Sequence, residues 1–180
     1  MFKFLVFVLA LAALDTGTAY SQSQGYGSLK DRAIKALSAD EIANLQAGRG
    51  MGMALPAELN RYPGPAHVLE NAAALGLTPQ QKATVTGQFD AMHNEAVALG
   101  QRIIAREVAL DSLFKTGGAD TRSIDRLTAE LGELYGELRA VHLRTHLATK
   151  ATLTETQLAM YETLRGYDGT GVASPHVHQH

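Results

Sequence analysis

From Val85 onward, apolar or small residues fall at Val85, Phe89, Met92, Ala96, Leu99, Ile103, Leu110 and Leu113, a four-three alternation that only Arg106 interrupts. That spacing keeps one stripe of a helix turned toward a partner, as in a coiled-coil seam. A second stripe follows at Ile124, Leu127, Leu131, Leu134, Leu138 and Val141 and runs on through Thr145 to Ala148. Gly117-Gly118 lies between the two and stops the first helix. Two seams joined by so tight a turn predict a long antiparallel helical hairpin from about Thr78 to about Thr152, roughly 45 to 55 Å long at 1.5 Å per residue.

The punctuation around the hairpin is equally legible. Leu77-Thr78-Pro79-Gln80-Gln81 writes a helix start: Thr78 caps, Pro79 takes the first helical position and Gln81 closes a capping box. Leu153-Thr154-Glu155-Thr156-Gln157 repeats the signal and opens a last helix to about Leu164. Upstream, Ser38-Ala39-Asp40-Glu41 is a third capping box, predicting a helix over Ala39 to Ala47. Pro65 to Gly76 reads as one more, over Ala66 to Leu75. Between these two, the stretch from Ala47 to Pro65 is too rich in Gly and Pro for regular structure, with at most a brief turn at Ala54 to Asn60. Its Met51, Met53, Leu55 and Leu59 are too apolar for a free linker, so it is expected to wrap the hairpin. The expected fold is all-α, a long hairpin with short flanking helices. Two helices cannot bury both flanks of such seams, so the rest goes to the flanking helices or to a second copy of the chain, and a homodimer is expected.

Phe4 to Leu14 is an unbroken apolar run behind Lys3, followed by small residues at Ala19-Tyr20-Ser21. Eleven apolar residues fall short of the roughly 20 that span a bilayer, so residues 1–21 read as an export signal cleaved after Ser21, with no stable membrane insertion. The remaining organisation is a linker, short helix and Gly/Pro-rich loop over 22–65, the hairpin domain over 66–165, and a disordered, His-containing tail over 166–180. Composition narrows the function. A formal charge of −2 gives no basic field for nucleic acid, and the absence of Cys excludes disulfides and thiolate chemistry. No Ser/His/Asp arrangement is evident, and Gly48-Arg49-Gly50-Met51-Gly52 lacks the Lys-Ser/Thr ending of a phosphate loop, so an enzyme is not expected.

The two Leu-Thr-x-x-Gln starts, Leu77-Thr78…Gln81 and Leu153-Thr154…Gln157, flanking a heptad hairpin in an exported chain, resemble the LTxxQ-motif periplasmic family. That family includes the Spy and CpxP stress chaperones and a group of periplasmic heavy-metal sensor and resistance proteins. The resemblance covers about Leu69 to Tyr167. It implies a cradle-like, dimeric, non-enzymatic protein of the periplasm that holds unfolded envelope proteins or addresses a membrane signalling protein. In the alternative it implies a transition-metal-binding sensor or resistance protein. The motif residues Leu77, Thr78, Gln81, Leu153, Thr154 and Gln157 need only cap helices.

Register sharpens the metal alternative. Pairing Leu113 with Ile124 makes facing residue numbers add to about 237, which sets Leu99 against Leu138 and Gly100 against Tyr135. His93 and His142 then share the facing flanks, with His146 one turn further on the same face. Three imidazoles at the open end suit zinc, copper or nickel; Glu95 points to the other flank and is a poorer ligand. His176, His178 and His180 on the tail form a second metal-capable element, and Met51 with Met53 offers thioethers to Cu(I).

Overall fold

The computed structural model describes residues 26–167. Residues 1–21, read above as an export signal, and the tail histidines His176, His178 and His180 lie outside the described residues.

The two strongest caps start the two elements they were read to start. Thr78 Oγ1 accepts the Gln81 N–H at 3.1 Å while Gln81 Oε1 accepts the Thr78 N–H at 3.0 Å. Later elements are numbered in chain order, and this helix, α4, runs Pro79–Lys115. Gly117, at φ +72°, supplies the left-handed residue that ends it. Asp120 then accepts the Ser123 N–H at 2.7 Å and caps α5, Thr121–Thr152. Thr154 and Gln157 form another reciprocal box, opening α6, Glu155–Arg165. Before the hairpin come a 3-10 turn at Tyr26–Asp31, α1 at Ala39–Gln46, α2 at Leu55–Glu58 and α3 at Pro65–Glu70. The structure is all-α among the described residues, with α4 and α5 packed antiparallel along their length.

Cross-helix bonds fix the register. Arg106 pairs with Glu130 at 3.0 Å, Arg102 with Glu137 at 3.6 Å, Glu95 with Arg144 at 3.9 Å, and Thr149 donates to Gln88 at 3.4 Å. In each pair the numbers add to within two of 237, the value set by the seams. Seam residues Met92, Ala96, Leu99 and Ile103 are buried against Leu131, Leu134, Leu138 and Val141. Toward the tip, Leu110, Leu113 and Ile124 are only partly covered, and Val108 and Phe114 are exposed.

The surplus apolar flank is covered from within the chain in two places. Ile34, Leu37 and Leu45, around α1, join the middle of the hairpin. Val68 and Leu75, after α3, form a second cluster at the open end with Val85, Leu153, Leu158 and Tyr161. The second flanking helix is shorter than its sequence suggests: α3 stops at Glu70, and residues 71–76 continue as turns to Gly76 at φ +60°.

Gly100 corrects a detail of the register reading. What it meets is α1 rather than the Tyr135 ring: a Cβ there would lie 2.1 Å from the Leu45 carbonyl oxygen and 2.7 Å from its carbon. The main chain of α1 therefore rests on α4 itself, an approach only glycine permits. Alanine gains up to about 1 kcal/mol of helix propensity over glycine, yet overpacking against backbone costs about 1–3 kcal/mol. The clash should win: Gly100→Ala is expected to lower the urea midpoint, and an unchanged or raised midpoint would refute the close approach.

Candidate functional site

The segment between α1 and α3 is a strap laid over the open half of the hairpin, as its apolar residues suggested. Close approach requires glycine at its start, where a Cβ at Gly48 would sit 3.2 Å from the His93 carbonyl oxygen of α4. Gly50 lies flat on the imidazole of His142, its would-be Cβ 3.6 Å from Nδ1. Further on, the Lys150 ammonium stands 3.8 Å over the Tyr62 ring, and Arg61 pairs with Glu162 of α6 at 2.8 Å. These contacts tie the strap to α4, α5 and α6 in turn.

The strap carries one acid, Glu58, and buries it. Glu58 Oε2 accepts the Gly64 N–H at 3.0 Å; Oε1 accepts a short bond from the Tyr161 hydroxyl and another, at 3.2 Å, from Tyr167. Arg165 Nε stands 3.6 Å from the same carboxylate and donates to the Tyr167 hydroxyl at 3.3 Å. Burial, followed by the charge of Glu58, pushes the Tyr161 hydroxyl far above the usual phenol range. It is a donor at any pH the protein will meet. This knot joins α2, α3 and α6 around one carboxylate.

Between strap and hairpin lies a cleft of about 770 Å3. Met51, Leu55 and Leu59 of the strap, with Phe89 and Met92 of α4, give it an apolar lining. His93, His142 and His146, the imidazoles named from the register, all line it. His93 stacks on Phe89 with ring centroids 5.8 Å apart, while His142 and His146 are nearly covered by the strap, 4% and 8% exposed. His146 Nδ1 donates to the Tyr62 carbonyl at 2.6 Å. Buried His142 Nε2 has no hydrogen-bond partner. Among the described residues, no group of three or more His, Asp or Glu side chains stands close enough to hold a metal ion. Exposed Glu95 lies on the opposite flank with Arg144.

Burial holds His142 below the usual histidine range, and neighbouring His146 pushes the same way. Below pH about 6.5 the unfolded chain therefore binds a proton that the folded one resists, so stability falls as pH drops through 6.5 and levels off below the depressed folded value. Above that window His142 contributes no slope. Urea unfolding at pH 5 and pH 7.5 should show His142→Leu losing less stability on acidification than the native protein; equal losses would rule out the buried neutral ring.

The capping motifs do more than cap. Gln81 Nε2 donates to Gln157 Oε1 at 2.9 Å and Gln157 Nε2 donates back to Gln81 Oε1 at 3.1 Å, a closed amide pair. Each amide also reaches the chain just before the other's motif: Gln81 donates to the Thr152 carbonyl at 3.0 Å, and Gln157 to that of Leu75 at 3.3 Å. The two Leu-Thr-x-x-Gln motifs thus form a clasp across the open end.

Fold and site together define an all-α hairpin protein with a strapped lateral cleft. Comparison of the chain with models of protein families, with curated proteins and with solved structures finds no match to any of them.

Proposed function

We propose that this chain is an exported, non-enzymatic envelope-stress protein of the Spy/CpxP type, which holds apolar segments of unfolded polypeptides in the periplasm. The observation that carries the reading is the strapped cleft, whose lining by Met51, Leu55, Leu59, Phe89 and Met92 suits unspecific apolar chain. Methionine adapts its shape to varied partners, and Leu55 and Leu59 are 46% and 60% exposed at its rim. The paired Leu-Thr-x-x-Gln motifs support the family assignment, because the two copies bond to each other as a unit. A homodimer belongs to the same reading, with Leu147, Met160 and Leu164 left as exposed apolar side chains.

The test is suppression of aggregation of a chemically denatured client by metal-free protein at equimolar ratio. Leu55→Glu with Leu59→Glu, both at exposed positions, should abolish suppression without lowering the melting temperature. No suppression by the native sequence, or full suppression by the variant, would sink the proposal.

A second reading, a transition-metal-binding sensor or resistance protein, is favoured by one observation: His93, His142 and His146 line the same cleft.

A further inference from the structure

We propose that the cleft binds a soft monovalent metal ion, of the Cu(I) and Ag(I) class, through Nε2 of His142 and Nε2 of His146, with thioethers of Met51 and Met92 completing the shell. This deepens the metal-binding reading and is independent of client holding.

The first argument is the state of the two imidazoles. A carbonyl oxygen only accepts, so His146 Nδ1 must carry the proton it gives to Tyr62, and the neutral ring keeps its lone pair on Nε2. A histidine whose other nitrogen donates to a backbone carbonyl has the tautomer and orientation of a metal ligand. Four residues earlier on the same face of α5, His142 keeps Nε2 buried and without a partner, which costs the fold free energy. A ligand bond to that nitrogen would relieve the cost. Spaced by one helical turn, the two rings have Cβ atoms about 5–6 Å apart, close enough to share one ion.

The second argument is which donors remain. Glu58, the carboxylate nearest His146, is already held by Gly64, Tyr161 and Tyr167. Glu70, also at the cleft, bonds His67 at 2.8 Å. Hard oxygen donors are thus committed, and the chain has no cysteine. The cleft still offers imidazole nitrogen and the thioethers of Met51 and Met92. Thioether sulfur selects Cu(I) among the biological metals, whereas Zn(II) takes thiolate, imidazole and carboxylate. Met51 belongs to the strap, at φ +45° between Gly50 and Gly52, so the ion would join strap to hairpin.

The experiment is anaerobic competition for Cu(I) against a chromophoric chelator, with Zn(II) titrated in parallel. It compares the native chain, Met51→Leu with Met92→Leu, His142→Gln with His146→Gln, and a chain ended after Tyr167. Circular dichroism and melting verify that each variant folds. The expected result is one Cu(I) per chain that survives removal of the tail. Its affinity should fall about 10- to 100-fold in the methionine variant and further in the histidine variant. Equal Cu(I) affinity in the native and methionine variants, tighter binding of Zn(II) than of Cu(I), or loss of all binding with the tail's His176, His178 and His180 would each overturn the proposal. Should the histidine variant fail to fold, the methionine variant decides, since Leu replaces Met at similar volume. Client suppression is read on metal-free native protein, so failure of either reading leaves the other standing.

Discussion

Replacing Glu58 by alanine is expected to cost the fold about 3–5 kcal/mol, the range for removing one partner from a buried charged network. The Tyr161 and Tyr167 hydroxyls and the Gly64 N–H lose their acceptor at once, and Arg165 loses its counterion. The Tyr161 hydroxyl, on a residue only 2% exposed, has no water to turn to, the Gly64 N–H is buried beside it, and Arg165 keeps a half-buried charge without its counterion. Glu58→Gln preserves one acceptor oxygen and the shape of the side chain, so it should cost only about 1–2 kcal/mol. Urea unfolding at 25 °C distinguishes the two. Because the knot anchors the strap beside His146, the alanine variant should also open the cleft, seen as faster amide exchange across Gly48 to Gly64. A loss below about 1 kcal/mol for alanine would show that the knot is not a structural tie.

The glutamine clasp supplies the second large effect. Gln81→Ala removes the return bond of one capping box, a bond to the Thr152 carbonyl and both bonds of the amide pair. A lost cap is worth about 1 kcal/mol and each of the three further partly buried bonds about 0.5–1.5, so a total of about 2.5–5.5 kcal/mol is expected. Gln157→Ala should cost a similar amount, for the same reasons mirrored across the pair. The diagnostic quantity is the coupling. Two independent caps would add, whereas a closed amide pair should leave the double variant better than the sum by about 1 kcal/mol. Strict additivity would reduce the clasp to two separate caps.

Much of the fold was legible because it is local. Heptad spacing, Gly117-Gly118 and the Thr-x-x-Gln boxes act within a few residues, and they place α4, α5, α6 and their register before any tertiary contact is known. The seam also carried His142 and His146 to one face. What the pattern left open is how covered they are, since burial comes from a strap whose course depends on Gly48 and Gly50 meeting α4 and α5. Gly100 illustrates the same limit: its small size was visible, but its partner, the Leu45 main chain, follows from how α1 docks. The Glu58 knot went unread because Tyr161 lies 103 residues away in sequence. A signal existed nonetheless. Glu58 is the one acid between Glu41 and Glu70, set among apolar residues and prolines, and Tyr161 sits one turn after Leu158 on the inward stripe of α6.

The long reach of that knot also governs when the molecule becomes a molecule. The first third of the described chain shares its core with later segments: Ile34, Leu37 and Leu45 cluster with the middle of the hairpin, and Val68 with Val85, Leu153, Leu158 and Tyr161. The hairpin tip can close as soon as its turn exists, but the Glu58 knot that anchors the strap is incomplete until Tyr161 and Tyr167 have been made. The early and late segments are therefore expected to gain their structure together, in one cooperative step.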